Sequence, residues 1–321
     1  MARSWWRLEM ACPAELEESL LWKLSALGVA QVAVRHHPDD HQRRWLLAWL
    51  PAADWPANER QRLAAALAPL AEPFALSLPP ISWSRQDDED WSESWKRHWQ
   101  PDPVGQRLLI LPAWLALPAD HAERLVIRMD PGSAFGTGSH PTTRLCLEGL
   151  ERLAAEAAVD RPGAAGLEGL RVADLGCGSG ILGIAALLLG ATQVAAADTD
   201  FQAVRATAHN AAACGVDGRL RVRQGSVQDL AELLRGEPAD LLLCNILAPV
   251  IEGLSSAFAS VLSAEGVGLL SGVLVSQEPG LRRALAAQGW TAELVARQSD
   301  WALITIRRSG REGPARPEHV A

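Results

Sequence analysis

The amino-acid sequence predicts an α/β protein: a doubly wound, mostly parallel sheet of seven strands, preceded by a smaller amino-terminal α+β module of ferredoxin-like element order. Three observations predict it. Beyond Leu125, short apolar runs alternate regularly with amphipathic segments, the pattern of strands that each return through a helix. The segment Asp174-Leu175-Gly176-Cys177-Gly178-Ser179-Gly180-Ile181-Leu182-Gly183 follows one such run, so its glycines fall where a buried strand turns sharply into a helix. Residues 3–78 read strand, helix, two strands, helix, strand.

In the amino-terminal module the elements are Trp5 to Met10, Ala14 to Leu27, Val29 to His36, Arg44 to Leu50, Ala57 to Leu70 and Phe74 to Leu78. Its two helices would cover one sheet face and leave the other free for docking. From Pro79 to Gly105 the composition shifts to Pro, Trp and charge, and Trp91, Trp95 and Trp99 follow an acidic run at helical spacing, which reads as a connector helix packed between domains. The strands of the larger sheet are Leu170 to Leu175, Gln193 to Asp198, Leu220 to Gln224, Ala239 to Asn245, Val267 to Val273, Trp290 to Ala296 and Trp301 to Arg307. The last two leave no room for a helix between them and should form an antiparallel hairpin. The domain boundaries are thus 1–80, a linker over 81–124, 125–308, and a Pro-, Gly- and charge-rich tail over 309–321 expected to be disordered.

Composition limits the partners. With 321 residues, 48% of them hydrophobic, the chain is long enough for two cores. A net charge of −8, from 30 basic and 38 acidic residues, argues against a broad nucleic-acid surface and suits a basic protein partner. The five cysteines (Cys12, Cys146, Cys177, Cys214 and Cys244) are scattered and form no C-x-x-C pair, so neither a disulfide framework nor a metal site is expected, and a reducing cytoplasm fits. No stretch is apolar enough to span a membrane, and a monomer is expected.

In open α/β sheets a ligand binds beyond the carboxyl ends of the strands, where strand order reverses. Asp174 and Gly176 close the first strand of the larger sheet, Asp198 the second and Asn245 the fourth. Asp198 follows one helix after Gly176 and Gly178, where a carboxylate can grip two ribose hydroxyls. Gly178, Gly180 and Gly183 also satisfy the dinucleotide pattern G-x-G-x-x-G, so a nicotinamide oxidoreductase stays open. Asp174 would oppose a pyrophosphate, whereas the cationic sulfonium of S-adenosylmethionine would be attracted. In Asn245-Ile246-Leu247-Ala248 a side-chain amide oxygen beside exposed carbonyls can accept hydrogen bonds from an amine, and the lack of an aromatic residue suits a flexible aliphatic amine over a stacked base. Asn245 could also do no more than cap the next helix. The segment from Asp130 to Thr143 offers Phe135, Gly138 and a helix start at Pro141, well placed to cover a cofactor. His140 is the tempting general base, but its place before Pro141 points to orienting the loop.

These segments together resemble the bacterial methyltransferases that modify protein number eleven of the large ribosomal subunit. The resemblance rests on the segment ending Phe135-Gly136-Thr137-Gly138-Ser139-His140-Pro141-Thr142-Thr143, on Asp174 to Leu182, on Asp198-Thr199-Asp200, Asn210 and Asn245-Ile246-Leu247-Ala248, with Trp91, Trp95, Arg107 to Pro112 and Trp301 to Arg308. It covers residues 90–308; residues 1–80 offer no motif to match, and the Gly/Ala-rich stretch Asp160 to Gly169 looks long for the family. It implies a class I, Rossmann-like methyltransferase domain with a seven-stranded sheet over 125–308 and a substrate-recognition module over 1–80. Thr143, Gly176, Asp198 and Asn245 would bind S-adenosylmethionine, with Phe135, Gly138, Asp174 and Gly178 in the same pocket. Asn245 and the Leu247 carbonyl would face the amine, a lysine side chain or an N-terminal α-amine of the ribosomal protein. A methyltransferase acting on another protein or on nucleic acid, and a catalytically silent binding protein, are the remaining alternatives.

Overall fold

The structure, a computed structural model, describes residues 4–29, 31–37, 40–87, 99–129, 138–160 and 166–310. Trp91 and Trp95 of the expected connector helix, Phe135, and the tail beyond Gly310 lie outside these residues.

The amino-terminal module runs β1 (Ser4–Ala11), α1 (Glu17–Ala26) after a 3-10 turn, β2 (Gln31–His37), β3 (Asp40–Pro51), α2 (Ala57–Leu67) and β4 (Ser82–Asp87). Its sheet has the order β2-β3-β1-β4, antiparallel throughout. Alternation along the strands sends Leu8, Met10, Val32, Val34, Leu46, Ala48 and Leu50 to one face, where Leu20 and Leu24 of α1 and Leu63 and Leu67 of α2 cover them. Two expectations need correction. Phe74 to Leu78 is not a strand: a 3-10 turn containing Pro73 runs to Phe74, Ala75 is left-handed (φ 54°), and the Leu76 N–H returns to the Ala71 carbonyl at 3.1 Å. Pro79 and Pro80 bring no N–H to a ladder, so the fourth strand forms after them and pairs with β1. The second sheet face is not wholly free either. Trp5, Ala33, Leu47 and Trp49 are buried there with Trp99 and Trp114 packed on them, and Trp99 Nε1 donates to the Val32 carbonyl at 3.2 Å.

Between the two sheets lies a third that the sequence did not reveal: β5 (Asp102–Val104), β6 (Leu108–Pro112) and β7 (Leu125–Met129), in that order. It is pinned to α3 (Pro141–Asp160). Glu151 of α3 accepts from the N–H groups of Gln106, Arg107 and Leu108 at 2.8–2.9 Å, and Arg144 grips both carboxylate oxygens of Asp102 at 3.0 and 2.8 Å.

The larger sheet follows the predicted alternation: β8 (Arg171–Leu175), α4 (Ile181–Leu188), β9 (Gln193–Asp198), α5 (Phe201–Ala213), β10 (Leu220–Gln224), α6 (Val227–Leu233), β11 (Ala239–Asn245), α7 (Ala248–Leu254), β12 (Leu262–Leu274), α8 (Glu278–Ala287), β13 (Trp290–Gln298) and β14 (Trp301–Arg308). The seven strands lie in the order β10-β9-β8-β11-β12-β14-β13, parallel except for β14, which is antiparallel to both neighbours as the missing helix requires. β8, β9 and β11 are mostly apolar because both faces are covered, Asp174 being the buried polar exception in β8. On one face α3 and α4 supply Leu145, Leu150, Ile184 and Leu187; on the other α6, α7 and α8 supply Leu230, Ile251 and Leu281. Strand order reverses at β8, whose neighbours are β9 and β11, so the carboxyl ends of these three strands frame one crevice.

Candidate active site

The loop after β8 is drawn onto the end of β9. The N–H groups of Gly176 and Cys177 both donate to the Ala197 carbonyl (2.8 and 3.2 Å), and Gly176, Gly178 and Gly180 all hold positive φ (72°, 55° and 81°). Asp198 is oriented by two backbone donors, Gly178 N–H to Oδ2 and Asp200 N–H to Oδ1, each at 2.9 Å. Each oxygen keeps a second lone pair for a ligand hydroxyl. Asp174 lies beneath the same loop, 1% exposed, and accepts from the Gly183 N–H at 3.0 Å. Burial pushes its pKa up from 3.8 to about 7, opposed by that hydrogen bond and reinforced by the charge of Asp198.

On the facing side β11 ends at Asn245. Its Nδ2 donates to Thr143 Oγ1 at 3.4 Å, and the Thr143 hydroxyl donates to Glu18 Oε1 at 3.2 Å, so a hydrogen-bond chain runs from the sheet through the first turn of α3 into the amino-terminal module. Ile246 is wedged between two glycines: a Cβ on Gly176 would meet its Cγ2 at 2.4 Å, and one on Gly272 would meet its carbonyl oxygen at 2.3 Å. Both glycines also hold positive φ. Leu247 departs from its expected role. It precedes α7, and its carbonyl accepts from the N–H groups of Val250 (2.9 Å) and Ile251 (3.1 Å), so helix bonds occupy the oxygen expected to face an amine. Its side chain, 60% exposed, stands at the rim.

A cavity of about 620 Å³ fills the crevice, a size that suits a cofactor-like ligand. Of the residues expected in it, Gly176, Gly178, Asp198, Asn245 and Leu247 line its wall. Thr143 stands one hydrogen bond behind Asn245, Asp174 lies below the loop, and Gly138 packs against Ile110 and Ile181. His140 lines the wall but is held as a neutral imidazole: burial, with a smaller contribution from Arg44, lowers its pKa from 6.5 to about 3. Its Nδ1 lies 2.7 Å from the Thr142 hydroxyl and accepts from the Thr142 N–H at 3.3 Å, and its ring meets Trp301 edge-on at 4.9 Å.

The sequence reading missed the wall built by the amino-terminal module, Glu15, Glu18, Ser19 and Phe74. One signal was present. Glu17 stands three, four and seven residues before Leu20, Leu21 and Leu24, which places a carboxylate on the buried stripe of a helix and demands a partner. Glu17 is fully buried, paired with Arg44 of β3 and accepting from the Ser139 hydroxyl. Among the described residues of the cavity wall the acidic side chains are Glu15, Glu18 and Asp198, with no lysine or arginine. That sign suits a cationic ligand and opposes a pyrophosphate.

Comparison with known proteins identifies the family. The family model described as ribosomal protein L11 methyltransferase (PrmA) matches residues 4–309, and so takes in the amino-terminal module for which the sequence offered no motif. The chain is 60% identical over 306 residues to the ribosomal protein L11 methyltransferase of Synechococcus sp. (strain RCC307), covering 95% of this chain and 98% of that one. It is 58% identical over 303 residues to that of Parasynechococcus marenigrum (strain WH8102), covering 93% and 100%. A crystal structure of ribosomal protein L11 methylase from Lactobacillus delbrueckii subsp. bulgaricus aligns with 33% identity and a TM-score of 0.54, covering 66% of this chain and 100% of that one. With that extent of match, the chain belongs to the ribosomal protein L11 methyltransferase (PrmA) family and is an S-adenosylmethionine-dependent methyltransferase.

Proposed function

We propose that this enzyme methylates amine nitrogens of ribosomal protein L11, lysine side chains and the N-terminal α-amine, with Asn245 receiving the amine. The observation that carries this is the position of the Asn245 amide at the cavity wall, across the strand-order reversal from Asp198. The wall fits the cofactor: two free lone pairs on Asp198 for ribose hydroxyls, bare backbone at Gly176 and Gly178, and acidic charge for its cationic end. S-adenosylmethionine supplies an electrophilic methyl on a sulfonium. The protein's part is to hold the amine in line with it, without its proton and away from water.

An ordinary lysine, with pKa about 10.4, costs about 4–5 kcal/mol to deprotonate at pH 7. Entry into a cavity beside a positive charge lowers that cost, since desolvation and like charge both disfavour the ammonium. Once neutral, the amine donates to the Asn245 side-chain oxygen and directs its lone pair away from it. His140, neutral at physiological pH and weakly basic, holds the loop rather than taking the proton. The acidic wall favours approach of a cationic lysine and disfavours nucleic acid as substrate.

The test is incubation of the enzyme with labelled methyl donor and, separately, purified L11, the other large-subunit proteins and ribosomal RNA, followed by mass spectrometry of the products. Label on L11 amines is expected. Label confined to RNA, or to another protein, would overturn the assignment.

A further inference from the structure

We propose that Glu18, in the amino-terminal module, is a positioning residue of the methyl-transfer site: acting through Thr143, it fixes which end of the Asn245 amide faces the amine. This rests on the role given to Asn245 above and extends it.

Polarity passes along the chain one bond at a time. The Thr143 hydroxyl donates its single hydrogen to Glu18 Oε1, at 3.2 Å. The Thr143 oxygen is then available only as an acceptor, and Asn245 meets it with Nδ2, at 3.4 Å. With its nitrogen held there, the amide leaves Oδ1 as the group to receive an amine N–H. Without Glu18, the Thr143 hydrogen is free to rotate toward Asn245. The amide then gains by turning over, which presents N–H groups to a nitrogen that needs an acceptor.

The surroundings hold the carboxylate in place. Glu18 is 1% exposed and lines the cavity, and Thr143 is equally buried. The carboxylate meets the first turn of α3, a helix of 20 residues whose positive end favours an anion. Next to it, Glu17 is tied to Ser139 and Arg44, so the start of α1 is anchored to the segment that leads into α3. Docking of the amino-terminal module therefore does more than present substrate: it completes the orientation of the group that receives the amine.

The experiment is a double-mutant cycle on the full-length enzyme with purified L11, measuring kcat, KM for L11 and the Kd for S-adenosylhomocysteine. Glu18→Ala and Thr143→Val are each expected to lower kcat by about 10- to 100-fold, the scale of a hydrogen bond to a charged group. KM and Kd, to which the acidic charge of Glu18 at the wall also contributes, should change less than kcat does. The double variant should lose no more than either single one, and Thr143→Ser, which keeps the hydroxyl, should restore most of the kcat lost in Thr143→Val. Multiplying losses in the double variant, or a Glu18→Ala effect confined to KM or Kd, would overturn the proposal. Should Glu18→Ala not fold, Glu18→Met, which fills similar volume without an acceptor, takes its place in the cycle, with unchanged kcat counting against the proposal. Asn245→Ala separates the two readings. If it is fully active, the proposed amine site fails; if it is inactive while Glu18→Ala has wild-type kcat, only the relay fails.

Discussion

The geometry assigns distinct costs to Asn245, Asp198 and His140, although all three line one cavity. Asn245→Ala removes a preorganised acceptor and is expected to lower kcat by about 10²- to 10³-fold, the scale seen when one such polar group is deleted. Asp198→Ala releases the Gly178 and Asp200 N–H groups together with a ribose ligand, so its loss should fall mainly on cofactor Kd. His140→Ala should cost less than about tenfold, because a neutral ring packed edge-on to Trp301 is scaffolding. Steady-state kinetics at saturating cofactor check the ranking, and equal losses at His140 and Asn245 would contradict it. Asp174 adds a pH dependence. Its pKa is about 7 in the folded, ligand-free protein and near 3.8 when unfolded, so its contribution to stability is complete below pH 3.8 and declines as pH rises toward 7. A bound cation favours the carboxylate form. Binding of S-adenosylmethionine should therefore release a proton below pH 7 and tighten with rising pH, by up to about tenfold per unit. Calorimetry at several pH values should show this slope in the wild type and a flatter one in Asp174→Asn.

At the scale of elements, the β11–α7 corner depends on glycines in the neighbouring strand and loop. In Gly272→Ala the new Cβ would lie 2.3 Å from the Ile246 carbonyl at a φ of +77°, and backbone cannot rotate away as a side chain can. A loss of about 1–3 kcal/mol is expected from the φ alone, with a fall in kcat as Asn245 shifts, measurable by denaturant titration and kinetics. The strands beside that corner were legible in the sequence for a physical reason. β9 and β11 end where their apolar runs end, and Asp198 and Asn245 are the first residues past full burial. The elements that were misread owe their state to distant partners. β5 has three residues and stands because Arg144 grips Asp102 and Glu151 caps the following turn, contacts some forty residues away in sequence. β4 was sought before Pro79 because Phe74 to Leu78 is apolar; the true strand, Ser82–Asp87, is polar and held by its ladder with β1. The Leu247 carbonyl was expected to face the amine from the family resemblance, which places the residue but not the start of α7 that decides where its carbonyl bonds.

Across the whole molecule, the amino-terminal module and the larger sheet meet through buried charge. Glu17 is fully buried and Arg44 has a side chain only 8% exposed; the two are paired, and Ser139 completes the contact from the other side. Removing a charge from water costs several kcal/mol, and the partner's charge offsets that cost only while both remain. Arg44→Ala leaves the Glu17 carboxylate buried and alone, so it should destabilise the protein by about 3–5 kcal/mol. The double variant Arg44→Met/Glu17→Leu removes both charges and fills similar volume, so it should recover most of that loss. Thermal unfolding of the wild type, the single variant and the double variant distinguishes a buried pair from a surface one, for which Arg44→Ala would cost less than about 1 kcal/mol. The double variant should nonetheless remain slower than the wild type. Ser139 loses its acceptor in it, and the segment leading into Thr143 loses the tether that sets α1, and Glu18 with it, against α3. A double variant that regained stability and full kcat together would show that the contact does not contribute to the geometry of the site.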